Sequence, residues 1–261
     1  MNSHRKIPFY KYQGTGNDFI IIDNRDAIFP KENREWIEEI CNRRFGIGAD
    51  GLMLVENSTL GDFKMVYYNS DGKIGSMCGN GGRCIVSFAN FLGIFQHKTT
   101  FEAIGKMYEA KIENGLVSLK MNDVEDIQSL PNHYFLDTGS PHHVTFEKEI
   151  SNLDVFTQGK KIRYGSPYFE TGTNVNFVEQ INGNTFKVRT YERGVENETL
   201  SCGTGVTAVA IASHLSNRSK SDHIKLQTLG GELEVSFSVE NNIYKNIILK
   251  GPATFVFKGE I

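Results

Sequence analysis

The feature that most restricts this chain is that it repeats itself. Gly14 of YQGTGNDF and Gly139 of DTGSPHHV lie 125 residues apart, which sets Asn17 and Asp18 opposite His142 and His143. The run FKMVYYNSDGKIGSMCGNGG from Phe63 lines up with FKVRTYERGVENETLSCGTGV from Phe186 after one inserted residue, leaving Cys78 and Cys202 124 apart. AIGKMYEA from Ala103 matches TLGGELEV from Thr228, with Glu109 and Glu234 again 125 apart and strand alternation on both sides. Three matches in one order imply two homologous halves related by a pseudo-two-fold axis. The expected domains are 1–121, completed by 253–261 where the last strand ATFVFKGEI returns, and 122–252.

Short β-rich runs fill both halves. FIIID, DGLMLVE, FKMVYYN, KMYEAKIE and LVSLKM read as strands in the first, and HHVTFE, NVNFVEQ, FKVRTYE, ELEVSFS and IYKNIILK in the second. KENREWIEEICNRRF reads as a helix. GGRCIVSFANFLG and GVTAVAIASHLS read as two more, apolar nearly all round and therefore core elements. The expected fold is α+β: two pseudo-symmetric domains, each a curved, mostly antiparallel sheet wrapped around a buried helix, with the active site in the cleft between them.

Composition removes several functions. The 28 Lys and Arg against 31 Asp and Glu give a net charge of -3, so no basic field is present to hold nucleic acid. At 39% hydrophobic and 23% charged the chain belongs with folded globular proteins. No apolar run approaches the roughly 18 residues of a membrane span, and MNSHRKIPFYKYQ lacks the apolar core of a secretory leader. A cytoplasmic protein with neither nucleic-acid nor membrane partner is expected. Four cysteines without CxxC spacing are too few for a disulfide scaffold, and reduced thiols are expected.

The chemistry gathers at Cys-Gly-x-Gly, which precedes both buried helices: Cys78-Gly79-Asn80-Gly81 and Cys202-Gly203-Thr204-Gly205. At a helix N-terminus the unpaired N–H groups and the positive end of the dipole favour an anion, which lowers a thiol's pKa and builds a nest for a carboxylate. Pseudo-symmetry would bring the two sulfurs to opposite sides of a bound molecule. That arrangement suits inversion at carbon, which needs one group to remove a proton and a matched group on the other face to return one. Mutual repulsion of two thiolates makes a singly protonated pair the natural charge state. Backbone N–H groups from both helix ends would stabilise charge developing on the α-carboxylate. Cys41 and Cys84 lie in apolar helical stretches and read as inert core thiols. Other readings stay open here: metal ligation by Cys78, Cys84 and the His142-His143 pair, a structural role for Cys78 and Cys202, or a binding or redox module in which those two form a reversible disulfide.

GTGNDF at 14–19, FGIGADG at 45–51, NSDG and MCGNGGRC within 69–84, YERG at 191–194 and SCGTG at 201–205 together resemble the diaminopimelate epimerase family, from about residue 10 to the C-terminus. The resemblance implies an isomerase of lysine and peptidoglycan precursor biosynthesis. It would be cofactor-independent and without metal, would interconvert LL- and meso-2,6-diaminopimelate, an amino-acid substrate, and would often form a homodimer. Carried over by position, Cys78 and Cys202 are the acid/base pair, and Gly79-Asn80 and Gly203-Thr204 hold the reacting carboxylate. Asn17, Asn69, Asn174 and Arg193 match substrate-holding positions, the Arg193 guanidinium being suited to a bidentate carboxylate grip. His142 and Glu192 match positions that set thiol protonation, Glu192 also receiving the substrate ammonium. The sequence departs from the family pattern at Gly51, where Gln is common, at Ser140, where Asn precedes Pro-His, and in the insertion between Glu192 and Cys202. Gly51 offers no side-chain bond, and Ser140 has a shorter reach; both bear on the distal end of the substrate.

Overall fold

A computed structural model describes residues 6–261. The reading of the N-terminus falls partly on residues 1–5, which lie outside the described residues. The chain forms two compact units, one of Met1–Leu119 with Pro252–Ile261 and one of Lys120–Gly251.

Unit 1 contains β1 (Pro8–Gly14), β2 (Asn17–Asp23), α1 (Arg34–Cys41), β3 (Gly51–Glu56), β4 (Phe63–Asn69), α2 (Gly79–Phe91), β5 (Lys98–Ala103), β6 (Lys106–Glu113) and β7 (Leu116–Lys120), with the C-terminal strand Thr254–Glu260 antiparallel to β1. Unit 2 contains β8 (Ile127–Ser129), β9 (Tyr134–Asp137), β10 (Pro141–Glu147), α3 (Val155–Tyr164), β11 (Asn174–Gln180), β12 (Thr185–Glu192), β13 (Asn197–Thr199), α4 (Gly203–Leu215), β14 (His223–Thr228), β15 (Gly231–Glu240) and β16 (Ile243–Pro252); the C-terminal strand is β17. Strand order is the same in both: β17-β1-β2-β3-β4-β5-β6-β7 in unit 1 and β8-β9-β10-β11-β12-β14-β15-β16 in unit 2, β13 adding to the end of β12. The sheets are antiparallel except at β2/β3, β4/β5, β10/β11 and β12/β14. Each parallel pair is the one a helix connects, because a parallel neighbour requires a crossover.

The expected α+β architecture of two equivalent domains is present. α2 packs on β1, β2, β3 and β6, and α4 on β9, β10, β11, β12, β14 and β15. α1 and α3 cover the other sheet face. Ile20 and Ile22 therefore join Ile37, Ile40, Leu52 and Leu54 beneath α1, while Phe19 reaches Gly81 of α2. A strand covered on both faces needs no polar alternation, which is why FIIID reads as a continuous apolar run. Around α4, Val206, Val209 and Ile211 pack with Val144, Val178, Phe186 and Leu226.

Two expectations change. The first helix spans only Arg34–Cys41, because Asn33 caps it through the Trp36 N–H and the Asn42 side chain turns the chain by accepting the N–H groups of Arg44 and Phe45. The 125-residue register also fails at the hairpin. Gly14 pairs with Asn17, whereas Thr138 bonds Ser140, so the second turn is one residue shorter. With Phe63 aligned to Phe186, the ladders put Tyr67 opposite Met53 and Thr190 opposite Asn176, and pair Phe19 with Gly51 and His142 with Asn174. Phe19, rather than Asn17, thus holds the position of His142, and Asn17 that of Ser140. Helix α3, with Asp154 as its cap, was not anticipated.

Candidate active site

In unit 1, Cys78 is the N-cap of α2, and its Sγ accepts the Gly81 N–H at 3.1 Å. The sulfur occupies the place where the first helical N–H groups would otherwise lack acceptors. A Cβ at Gly81 would stand 3.1 Å from Cys78 Sγ, 3.4 Å from Met53 Sδ and 3.5 Å from Phe19 Cζ, so the thiol needs a glycine here and has apolar neighbours. One turn on, fully buried Arg83 donates to Gly79 O (3.2 Å), Asn80 Oδ1 (3.1 Å), Thr15 Oγ1 (3.2 Å) and Pro252 O (3.2 Å).

Asn17 begins β2, and its Oδ1 is buried without a hydrogen-bond partner. Next to it, Asp18 is held by Lys11 at 2.7 Å and Arg43 at 2.6 Å, and Arg43 also reaches Asp50 at 2.7 Å. Lys11 additionally donates to Gly48 O. Burial opposes ionisation of Asp18, but the bonds from Arg43 and Lys11 outweigh it and draw the carboxyl down to about 2. These pairs tie the GTGNDF turn to the FGIGADG segment. Asn69 lies exposed at the end of β4.

In unit 2, Cys202 is the N-cap of α4, with Sγ 3.5 Å from Thr204 Oγ1. His142, fully buried on β10, contacts Thr204 Oγ1 through Nε2 at 2.9 Å and Asn176 Nδ2 through Nδ1 at 3.1 Å. Burial, then the Arg193 charge, push His142 down to about 3, so its imidazole is neutral near pH 7. Asn174 accepts the Arg193 N–H, Arg193 Nη1 donates to Thr171 O, and Glu192 ends β12. Unit 1 thus has Cys78, Gly79 and Asn80 at the start of α2 and Asn17 at the start of β2, and unit 2 gathers His142, Asn174, Arg193, Cys202, Gly203 and Thr204.

His143 diverges from His142: it stacks on His133 with ring centroids 4.1 Å apart and bonds Tyr168 Oη at 2.9 Å. Burial pushes the Cys41 thiol up to about 12 and raises that of Cys84 further, which fits inert core thiols. Among the described residues no group of His, Cys, Asp and Glu is arranged to hold a metal ion, and no helix is long and apolar enough to cross a membrane. Sequence reasoning missed Asn176, Thr190 and Arg83. Asn176 carried a signal: in NVN, residues two apart on a strand face the same side, so Asn174 and Asn176 share a surface.

The sequence profile described as diaminopimelate epimerase matches residues 9–127 and 134–256. A diaminopimelate epimerase of Flavobacterium psychrophilum is 58% identical over 256 residues, covering 98% of this chain and 100% of that one. The chain belongs to the diaminopimelate epimerase family. It is accordingly an isomerase. A diaminopimelate epimerase of Chlorobaculum tepidum is 44% identical over 257 residues, covering 95% of this chain and 98% of its own. Among solved structures, a phenazine biosynthesis protein of the PhzF family from Bacillus anthracis superposes with a TM-score of 0.77 at 13% identity, covering 98% of this chain and 99% of that one. A hydroxyproline epimerase from Agrobacterium vitis, solved with trans-4-hydroxy-L-proline, gives 0.70 at 12% identity, covering 100% and 94%. At such identities these two show that the epimerase family shares its fold with other proteins.

Proposed function

We propose that the protein interconverts LL- and meso-2,6-diaminopimelate by two-base proton transfer through Cys78 and Cys202, without a cofactor. The observation that carries this reading is the equivalence of the two cysteines, each the N-cap of the buried helix of its unit. One sulfur, as thiolate, takes the α-proton. The other, as thiol, returns a proton to the opposite face, and the roles exchange for the reverse reaction. The helix N-termini at Gly79-Asn80 and Gly203-Thr204 receive the α-carboxylate, whose negative charge grows as the proton leaves.

Asn17, Asn69, Asn174 and Arg193 hold the rest of the substrate, Glu192 receives its ammonium group, and His142 and Glu192 govern thiol protonation. The orphaned Asn17 Oδ1 is an acceptor suited to an ammonium donor. The two homologous halves read from the repeat, 1–121 with 253–261 and 122–252, each contribute one part of this machinery. The reaction serves lysine and peptidoglycan precursor synthesis in the cytoplasm. A homodimer accounts for the exposed apolar side chains of Phe91, Phe255, Val256 and Phe257.

Proton NMR of the purified protein with LL-diaminopimelate in deuterated buffer, under reducing conditions and with nothing else added, tests the reading. Loss of the α-proton signal with appearance of the meso isomer is expected. No exchange with this substrate would overturn the substrate assignment, and exchange only after a cofactor is supplied would overturn the cofactor-independent mechanism.

A further inference from the structure

The Asn176 amide has a fixed orientation. Its Nδ2 donates to the His143 carbonyl at 3.1 Å, an atom that can only accept, and its Oδ1 accepts the Thr190 hydroxyl at 3.0 Å. The same Nδ2 lies 3.1 Å from His142 Nδ1. An amide N–H directed at a ring nitrogen requires that nitrogen to be the acceptor, so the proton of neutral His142 resides on Nε2. Nε2 then donates to Thr204 Oγ1 at 2.9 Å, and the Thr204 hydroxyl, having accepted there, has its own proton to direct at Cys202 Sγ, 3.5 Å away.

We infer that Asn176, oriented by Thr190, is a positioning residue that fixes the polarity of a relay from Asn176 through His142 and Thr204 to Cys202, so that the relay ends on the sulfur as a hydrogen-bond donor. This deepens the two-base reading and rests on it. A donor at the sulfur favours thiolate over thiol. In unit 1 the ladder positions of His142 and Asn176 are held by Phe19 and Met53, apolar residues beside Gly81 and Cys78. The two chemically identical side chains therefore have different surroundings. A Cβ at Gly205 would come within 2.5 Å of Asn176 Oδ1, so the close approach of α4 to this amide also requires glycine. The charge that acts on His142, on β10, is that of Arg193, just past the end of β12.

The test is made on the full-length enzyme with and without substitution. Two-dimensional NMR of ¹⁵N-histidine-labelled protein reports which ring nitrogen of His142 carries the proton, with His142→Gln used to assign the signal. Iodoacetamide labelling read by mass spectrometry reports the pH midpoint of each cysteine separately. The expected result is an Nε2–H ring in the unsubstituted protein, a proton on Nδ1 in Asn176→Asp, and a Cys202 midpoint raised by about one pH unit in Asn176→Asp and Thr204→Val, with Cys78 unmoved and Thr204→Ser restoring the midpoint. A proton on Nδ1 in the unsubstituted protein, or an unchanged Cys202 midpoint in folded Thr204→Val, overturns the inference. The tautomer and labelling readouts need no turnover, so they decide the relay even if diaminopimelate shows no α-exchange.

Discussion

Asn174 and Arg193 are joined through the backbone: the Arg193 N–H donates to Asn174 Oδ1 at 2.9 Å, while Asn174 Nδ2 donates to Ser140 Oγ and Pro141 O, each at 2.9 Å. Both amide hydrogens are committed, and one Oδ1 lone pair remains for a ligand. Asn174 is therefore a strut between the β10 entry and the turn that carries Arg193. Asn174→Ala is expected to raise KM for diaminopimelate and lower kcat/KM by roughly 10- to 100-fold, since losing buried bonds of this kind costs about 1–3 kcal/mol. Steady-state kinetics with a thermal melt check this; an unchanged KM in a folded variant would contradict the strut.

Cys78→Ala and Cys202→Ala are each expected to lower epimerisation by about 10²- to 10⁴-fold or more while leaving the circular dichroism spectrum intact. The two proposed groups act as one unit, so the double variant is expected to be little worse than either single one. Global unfolding of either single variant would instead favour a structural role.

Acid stability should follow the buried histidines. His142 and His143 are both lowered to about 3 by burial first, then by Arg193 and His133 respectively. The unfolded chain protonates these rings near pH 6.5 while the folded one does not, so it binds more protons between the two values. Stability is complete above pH 6.5 and falls steadily toward pH 3. Urea titrations near pH 5 are expected to show uptake of about two protons from this pair on unfolding, and His143→Phe should remove about one. A pH-independent unfolding free energy from 7 to 4 would refute this.

Asp18 works in a lower window with the same sign. Its carboxyl, down at about 2 against 3.8 in isolation, contributes stability that is present above pH 4 and lost as the pH falls toward 2, on the order of 2 kcal/mol. Asp18→Asn should cost about that much at pH 7 and flatten the stability curve between pH 4 and 2. Because the Lys11–Asp18–Arg43–Asp50 set adjoins Asn17, substrate KM is expected to rise as well.

Much of this molecule was legible before its coordinates. FIIID and NVNFVEQ are strands because β-branched runs pack well on a pleated surface, and Cys-Gly-x-Gly marks helix starts because glycine allows the close approach seen at Gly81 and Gly205. What escaped depends on register. No spacing rule indicates that Asn176 Nδ2 meets His142 Nδ1, since that contact exists only once β10 lies parallel to β11 with His142 beside Asn174. The hairpin defeated the repeat for the same reason: Gly14 ends β1 while Gly139 lies inside its turn, and turns of unequal length shift every later residue. Helix α3 was hidden because its face is short, polar and interrupted by Gly159, which packs against Tyr191.

Strand β17 completes the sheet of unit 1 by pairing Pro8 with Glu260 and Gln13 with Thr254. The outer edge of β1 therefore stays unpaired until Thr254–Glu260 has been made. The strands of unit 2 all precede Thr254, whereas unit 1 keeps an open edge at β1 until Thr254–Glu260 arrives. Removing Thr254–Glu260 would leave the sheet of unit 2 whole and bare the β1 edge of unit 1, far away in sequence.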